Sequence, residues 1–276
     1  MASIVVVFDF DRTLLDVDSD DWVVTQMGLK ALFRQLMRSM PWTDLMNRMM
    51  EELHAIGKTV DDIAECLTKA PIHSSTLTAI KSAYALGCDL KVLSDANQFF
   101  IETILKHNGI FRCFSEIITN PASVDQQGRL TISPYCDFTS SPHGCNLCPH
   151  NLCKGLVMNR LRSSEIGPKR RKYIYLGDGK GDYCPAISLK DGDFLMPRKG
   201  YYLWEHIGSN PTVTEAQVHG WTNGEELEEI LLCLINKTVC NSNGCKLGHT
   251  SSSDCKCEAG SCPAHESSPQ TVSVPR

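Results

Sequence analysis

The sequence predicts an α/β fold: an open parallel sheet, a helical cap inserted after its first strand, and a tail of different composition at the end. Three observations carry this expectation. Short apolar runs rich in β-favouring residues alternate with helical patterns, as in a parallel sheet with right-handed crossovers. Residues 15–70 instead carry helical patterns with no convincing strand. The chain has 276 residues, 42% of them apolar, which is near the ceiling for a single core and enough for one large domain with an insertion.

The first run, Ile4-Val5-Val6-Val7-Phe8, has no polar interruption, as expected of a strand covered on both faces. In the insertion Pro41 can open a helix, Leu45, Met46, Met49, Met50 and Leu53 recur at helical spacing, and Gly57 ends it. Thr59-Val60-Asp61-Asp62 resembles a helix-start box leading to Ile63 and Leu67. The sheet resumes near residue 86, with strand-like runs at Leu90-Lys91-Val92-Leu93, Glu116-Ile117-Ile118, Tyr173-Ile174-Tyr175-Leu176 and Phe194-Leu195-Met196. Helical patterns over 75–86, 97–107 and 154–161 separate them. After about residue 237 Ser, Gly, Asn, Pro and Cys dominate. The expected division is a catalytic core of 1–14 and 86–236, a helical cap of 15–85, and a disordered Cys/Ser-rich tail of 237–276.

Charge and composition exclude some classes. The net charge is −5, so no global basic field exists to bind nucleic acid. No apolar run reaches the length of about 18 residues that a membrane span needs. The opening apolar run is five residues long and stops at Asp9, unlike a secretory signal, so a cytoplasmic location is expected. Fourteen cysteines in such a compartment argue against a disulfide scaffold. Cys66, Cys88, Cys113 and Cys233 sit among apolar neighbours and read as core, and five cysteines belong to the tail. Cys145-x2-Cys148-x4-Cys153, with His143 and His150 nearby, has the ligand types of a structural Zn²⁺ site; the alternative is a thiol-rich loop beside Lys154. Lys169-Arg170-Arg171-Lys172 reads as a solvated turn.

Three strand ends carry chemistry. The first strand runs into Asp9-Phe10-Asp11-Arg12-Thr13, the second into Ser94-Asp95-Ala96-Asn97, and a later one into Gly177-Asp178-Gly179-Lys180-Gly181-Asp182. Ligands bind parallel sheets beyond the carboxyl ends of the strands. Paired carboxylates there suit metal binding and nucleophilic or acid–base work; an acidic turn is the plainer alternative. Crowded like charges are costly without a cation, and Mg²⁺ held by carboxylates, a carbonyl and waters answers that. Glycines around Asp178 let backbone approach a ligand. Asp16, Asp18, Asp20 and Asp21 form either a solvated rim with a helix cap or an attraction for an ammonium group. Trp22, Phe33, Trp42 and the six methionines between residues 27 and 50 read as cap core before they read as a cation cage.

These motifs resemble the haloacid dehalogenase (HAD) superfamily, with Asp-x-Asp-x-Thr at Asp9 to Thr13, Ser94 after the second strand, Lys154 as the third-motif lysine, and Gly177-Asp178-x-x-x-Asp182 as the acidic fourth motif. DFDRTLLDVDSDD, SDAN, Ser133-Pro134-Tyr135, Cys153-Lys154-Gly155, YLGDGKGDYCP and Met196-Pro197-Arg198-Lys199 resemble, more narrowly, the phosphoethanolamine/phosphocholine phosphatases. The plant branch is closest, with its phosphate-starvation-induced, pyrophosphatase and thiamine phosphate phosphatase-like members. The resemblance implies a HAD-like Rossmannoid sheet with a small C1-type cap. It implies Asp9 as nucleophile through an aspartyl-phosphate, and Asp11 as general acid and base. Mg²⁺ would lie on Asp9, the Asp11 carbonyl and Asp178, with Asp182 as a water-mediated ligand or orienting group. Ser94 and Lys154 would hold the phosphoryl group, and Asp20 and Asp95 the substrate amine. The implied activity is Mg²⁺-dependent hydrolysis of small phosphomonoesters, phosphocholine or phosphoethanolamine first, with pyrophosphate or thiamine monophosphate as rivals. A non-enzymatic metal or phosphate sensor is the remote alternative, disfavoured by the intact Asp9, Asp11 and Asp178.

Overall fold

The first strand, β1 (Ile4–Phe8), is buried along its whole length. Its side chains divide with the two-residue period of a strand: Ile4, Val6 and Phe8 enter one core cluster, Val5 and Val7 the other. The computed structural model describes residues 4–137, 143–164 and 170–242. The insertion that follows β1 forms α1 (Ser19–Gln26), α2 (Lys30–Leu36), α3 (Trp42–Ala55) and α4 (Val60–Leu67). The α3 stripe of Leu45, Met46, Met49, Met50 and Leu53 is buried in the same cluster as one face of β1. Gly57, at φ +82°, lets the chain leave α3 in the left-handed region. Thr59 and Asp62 form a reciprocal capping box at the start of α4.

The chain then builds α5 (Ser74–Ala85), β2 (Asp89–Asn97), α6 (Gln98–His107), β3 (Phe114–Asn120) and a short antiparallel hairpin of β4 (Ala122–Val124) and β5 (Leu130–Ile132). It continues with α7 (Lys154–Ser163), β6 (Lys172–Gly177), α8 (Tyr183–Ser188), β7 (Phe194–Pro197), α9 (Tyr202–Ser209), β8 (Gln217–Val218) and α10 (Gly224–Ser242). Six strands make one parallel sheet in the order β3-β2-β1-β6-β7-β8. The strand order reverses at β1, so the crevice beyond β1 and β6 is the topological switch point where such sheets bind ligands. Apolar residues of α5, α6 and α10 cover one face, and those of α7, α8 and α9 the other. Asn47 of α3 docks the cap on the hairpin: its amide donates to the Ile132 carbonyl and accepts the Ile132 N–H, both at 2.7 Å.

Two boundaries differ from the sequence reading. Residues 74–85 share apolar contacts with α10 and the sheet, so α5 serves the core as well as closing the insertion. The final helix runs past 237 to Ser242 because Thr238 is buried, its hydroxyl donating to the Leu234 carbonyl at 2.8 Å, and Val239 still packs on the core. The rest of the tail, with Cys245, Cys255, Cys257 and Cys262, lies outside the described residues. Among the described residues no helix is long and apolar enough to cross a membrane. Arg170 and Arg171 of the basic run pair with Asp193 and Asp89, and Lys169 lies outside the described residues.

Candidate active site

Phe8 pairs with Val92 on one side and Leu176 on the other, so the residues that follow the three central strands emerge together. The Asp9 N–H donates to the Leu176 carbonyl at 2.9 Å, which fixes the start of the loop. The buried Asp9 carboxylate receives Lys154 Nζ on Oδ1 at 2.6 Å and the Thr13 hydroxyl on Oδ2 at 3.2 Å. Lys154 opens α7 and also donates to Asp182 Oδ1 at 2.8 Å. Asp182 accepts four donors in all: Lys154 and the Tyr175 hydroxyl (2.6 Å) on Oδ1, and the N–H groups of Asp178 (3.1 Å) and Gly179 (2.9 Å) on Oδ2. Gly177 permits this, since a Cβ there would sit 2.6 Å from Asp182 Cγ. Asp182 caps nothing in α8 through its side chain.

The charges are unbalanced. Burial would strip the Lys154 proton, but Asp182 and Asp9 outweigh it and hold the ammonium charged. Burial first, then Asp182, push Asp9 well above the usual carboxylate range, against the pull of Lys154. The same two causes push Asp178 up to about 7, opposed by Lys154, Arg12 and Arg198. One carboxylate oxygen from each of Asp9, Asp178 and Asp182 lies within 4.8 Å of the others. One lysine among three buried carboxylates leaves a negative excess, and with Asp182 committed to its four donors the free oxygens of Asp9 and Asp178 fit a hard dication such as Mg²⁺.

Asp11 stands beside this group, one oxygen accepting the Ser19 N–H at 2.8 Å. Burial, then Asp18 and Asp20, raise its proton affinity well above that of an ordinary Asp. Arg12 is the one non-glycine residue with positive φ (55°) among the described residues. Its strained backbone is held: Arg198 donates to the Arg12 carbonyl at 2.5 Å and to Asp16 at 3.2 Å, and the Arg12 guanidinium pairs with Asp18 at 3.1 Å.

A pocket of about 240 Å³ collects these groups, with Asp18, Asp20, Asp95, Trp42, Arg12 and Lys180 also in its wall. Asp20 is buried, its Oδ2 accepting the Trp42 indole N–H at 2.7 Å, and its Oδ1 has no partner among the described residues. Burial, then Asp18, raise its proton affinity against the Trp42 contact. Asp95 is held from behind by Asn120, whose amide donates to the Asp95 and Ala96 carbonyls at 2.7 and 2.8 Å. Ser94 is placed differently from its neighbours: it is fully buried, its hydroxyl accepts the Ala96 N–H at 3.2 Å, and it does not line the pocket. Of the cap aromatics, Trp42 reaches the pocket. Trp22 donates to the Cys66 carbonyl at 3.1 Å, and Phe33 is core, edge-on to Trp42.

The structure also gathers Cys145, Cys148 and Cys153, and adds Cys184 from α8. Asn120, Arg198, Tyr175 and Cys184 were not assigned roles in the sequence reading, and Trp42 was read as cap core ahead of a cation cage. Arg198 and Tyr175 fall inside recognised motifs, which was the available signal.

The sequence matches the Putative Phosphatase family over residues 4–235. The chain belongs to this family. It is 52% identical to "Inorganic pyrophosphatase 2" of Arabidopsis thaliana over 260 residues, covering 94% of this chain and 93% of the relative. It is 55% identical to the "Thiamine phosphate phosphatase-like protein" of the same plant, covering 86% and 97%. A "Pyridoxal phosphate phosphatase PHOSPHO2" of Mus musculus is 32% identical, covering 84% and 98%. Among solved structures, a HAD family hydrolase of Salmonella enterica superposes with a TM-score of 0.59 at 15% identity, covering 85% of this chain and 71% of the other. A phosphoserine phosphatase superposes at 0.56 and 14%, covering 84% and 99%. The fold is therefore that of the HAD hydrolases, and the family and its named members make the protein a HAD-type phosphatase, a phosphoric monoester hydrolase.

Proposed function

We propose that this phosphatase hydrolyses small phosphomonoesters of cationic alcohols, phosphocholine and phosphoethanolamine first among them, in the cytoplasm. The observation that carries the reading is the acidic wall of Asp18, Asp20 and Asp95, with the Trp42 indole, on the pocket that also holds Asp9 and Lys154. The primary ammonium of phosphoethanolamine would donate to the free Asp20 Oδ1, a charge-assisted contact worth roughly 1.5–3 kcal/mol, whereas the quaternary ammonium of phosphocholine, which has no N–H, would meet the same acidic wall by charge alone. At about 240 Å³ the pocket is smaller than the roughly 300–1,000 Å³ that drug-sized ligands occupy, which favours small substrates.

In this reading Asp9 attacks phosphorus and forms an aspartyl-phosphate as the ester oxygen departs. A solved structural neighbour, the phosphoserine phosphatase, is described with an analogue of a phospho-aspartyl intermediate. Thr13 and Lys154 hold the Asp9 carboxylate in place, and Lys154 offsets phosphoryl charge. Asp11, its proton affinity raised by burial and by Asp18 and Asp20, gives its proton to the leaving alcohol. The resulting carboxylate then takes a proton from the water that cleaves the acyl-phosphate. Asp182, with all four acceptor positions filled, orients Lys154 and the Asp178 backbone. Asp9, Asp178 and the Asp11 carbonyl would hold Mg²⁺, which when bound neutralises charge on the phosphoryl oxygens.

A second reading is hydrolysis of pyrophosphate or thiamine monophosphate, favoured by Arg12 and Lys180 in the wall and by the names of the plant relatives. One panel decides: kcat/KM for phosphocholine, phosphoethanolamine, pyrophosphate, thiamine monophosphate and pyridoxal phosphate, for the native chain and for Asp20→Asn. The headgroup esters should lead, and Asp20→Asn should weaken them selectively. Equal or better turnover of pyrophosphate overturns the assignment.

A further inference from the structure

The sulfur atoms of Cys145, Cys148, Cys153 and Cys184 lie within 4.8 Å of one another. Two separations are resolved further, 3.7 Å for Cys145–Cys184 and 3.9 Å for Cys153–Cys184. These are too long for disulfides, whose sulfurs stand about 2.05 Å apart. A tetrahedral ion with metal–sulfur bonds of about 2.3 Å sets its sulfurs roughly 3.8 Å apart, close to the observed values. The local backbone is shaped for thiolates: the N–H groups of Leu147 and Cys148 donate to the Cys145 sulfur, the turn of a Cys-x2-Cys ligand pair. His143 serves the loop. Its Nδ1 accepts the Cys145 N–H at 3.0 Å and its Nε2 meets the Pro149 carbonyl at 2.9 Å. Cys153 and Cys184 are buried, and residues 143–153, which bring Cys145 and Cys148 to them, contain no helix or strand of their own.

We infer that these four cysteines bind one Zn²⁺ as a tetrathiolate site, and that the site fixes the position of Lys154. Four sulfurs in this arrangement select Zn²⁺ or iron, and Zn²⁺ is the redox-inert choice for a purely structural joint. The fourth ligand is the informative one. Cys153 directly precedes Lys154, and Cys184 follows Asp182 by two residues. The bound ion would therefore tie the peptide that carries the lysine to the peptide that carries its carboxylate partner. Gly155 shows how close these segments run, because a Cβ there would lie 2.4 Å from Cys184 Sγ and 3.1 Å from its carbonyl oxygen. The Cys153-Lys154-Gly155 triplet then reads as metal ligand, phosphate-site lysine and close-approach glycine in succession. The zinc assignment stands apart from the proposed substrate; its link to Lys154 rests on the proposed role of that lysine.

The test uses the full chain with Cys240, Cys245, Cys255, Cys257 and Cys262 replaced by Ser, so that tail thiols add no metal. Elemental analysis should find one zinc per chain, and zinc X-ray absorption should find four sulfurs at about 2.3 Å. Cys145→Ser and Cys184→Ser should each weaken zinc binding by more than about tenfold. In a folded Cys184→Ser protein kcat should fall with little change in KM, and adding Lys154→Met should cost little more, as expected when the two act through one position. A metal-free protein as isolated, iron in the site, nitrogen or oxygen in the coordination shell, or undiminished zinc in Cys184→Ser overturns the site. An undiminished kcat in zinc-free Cys184→Ser overturns the positioning role alone.

Discussion

Chelating the divalent cation should expose a pH-dependent weakness centred on Asp178. Burial and Asp182 push this carboxyl to about 7 from an ordinary value of 3.8, so its ionised form costs about 4 kcal/mol in the cation-free fold. Below the ordinary value both folded and unfolded chains carry the proton and stability is flat. Between 3.8 and about 7 the unfolded chain loses the proton while the folded chain keeps it. The unfolded state then binds fewer protons, so stability falls as pH rises through this window and stays low above it. Asp9, Asp11 and Asp20 are displaced in the same direction and steepen the fall. Mg²⁺ competes with these protons, so its stabilisation should grow across the window, reaching about 2.7 kcal/mol at a hundred times its Kd. The assay is urea unfolding of the full chain in chelator and in excess Mg²⁺, from about pH 5 to about pH 8. Between those two pH values Asp178→Asn should flatten the chelator curve by about 3 kcal/mol, the part of the full shift that falls inside the range, and remove most of the Mg²⁺ response. An equal Mg²⁺ gain at both ends of the range, or a flat curve in chelator, refutes the reasoning.

Four further outcomes follow from the same geometry. Asp9→Asn should abolish turnover while circular dichroism and cooperative unfolding persist, because the substitution removes the proposed nucleophile and one member of a crowded acidic group. Lys154→Met leaves Asp9 and Asp182 buried without their cation, and should cost about 3–5 kcal/mol in urea unfolding near pH 8, with a smaller cost in acid. Trp42→Phe deletes the indole donor to Asp20. It should raise KM for cationic esters by about tenfold, equivalent to roughly 1.4 kcal/mol, and leave inhibition by inorganic phosphate unchanged. Gly155→Ala drives a methyl group against the Cys184 sulfur, and should lower stability by about 1–3 kcal/mol.

The convergence of the acidic residues was legible in the sequence because each group follows an apolar run, and a parallel sheet delivers the ends of its central strands to one crevice. Asp9 and Asp178 needed no further information than that. Lys154 required the Cys-Lys-Gly context, since nothing in local pattern says that the first residue of a helix will turn inward to a buried carboxylate. Cys184 escaped notice because Cys153 is far away in sequence and on another element, and ligand spacing rules see only local partners. The Trp42–Asp20 contact joins α3 to α1 through the packing of the cap, which periodicity does not fix. Ser94 shows the opposite limit: the motif places it at the strand end, but the Ala96 N–H turns its hydroxyl into the backbone of the loop. The last helix outran the composition shift because Thr238 satisfies its hydroxyl on the preceding turn and presents little polar surface.

The division of labour among the buried carboxylates follows from counting donors. Asp182 has four hydrogen bonds and no lone pair to offer, so it gives shape to the loop. Asp9 has two, from Lys154 and Thr13, which leave part of its acceptor capacity for a cation or for attack on phosphorus. Among the described residues no hydrogen bond to the Asp178 side chain is present, and burial and Asp182 raise its proton affinity, so a metal would relieve it. Asp11 differs again: burial first, then Asp18 and Asp20, raise its proton affinity, so the acidic wall that would attract an ammonium group also helps hold the proton on the proposed general acid. Substrate preference and proton donation would then be coupled through the same residues. Asp20→Asn should weaken binding of a cationic ester and, by removing a neighbouring negative charge, also lower the pH at which Asp11 loses its proton. A shift of the basic limb of the kcat profile to lower pH in that variant is the signature that separates this coupling from a simple binding role.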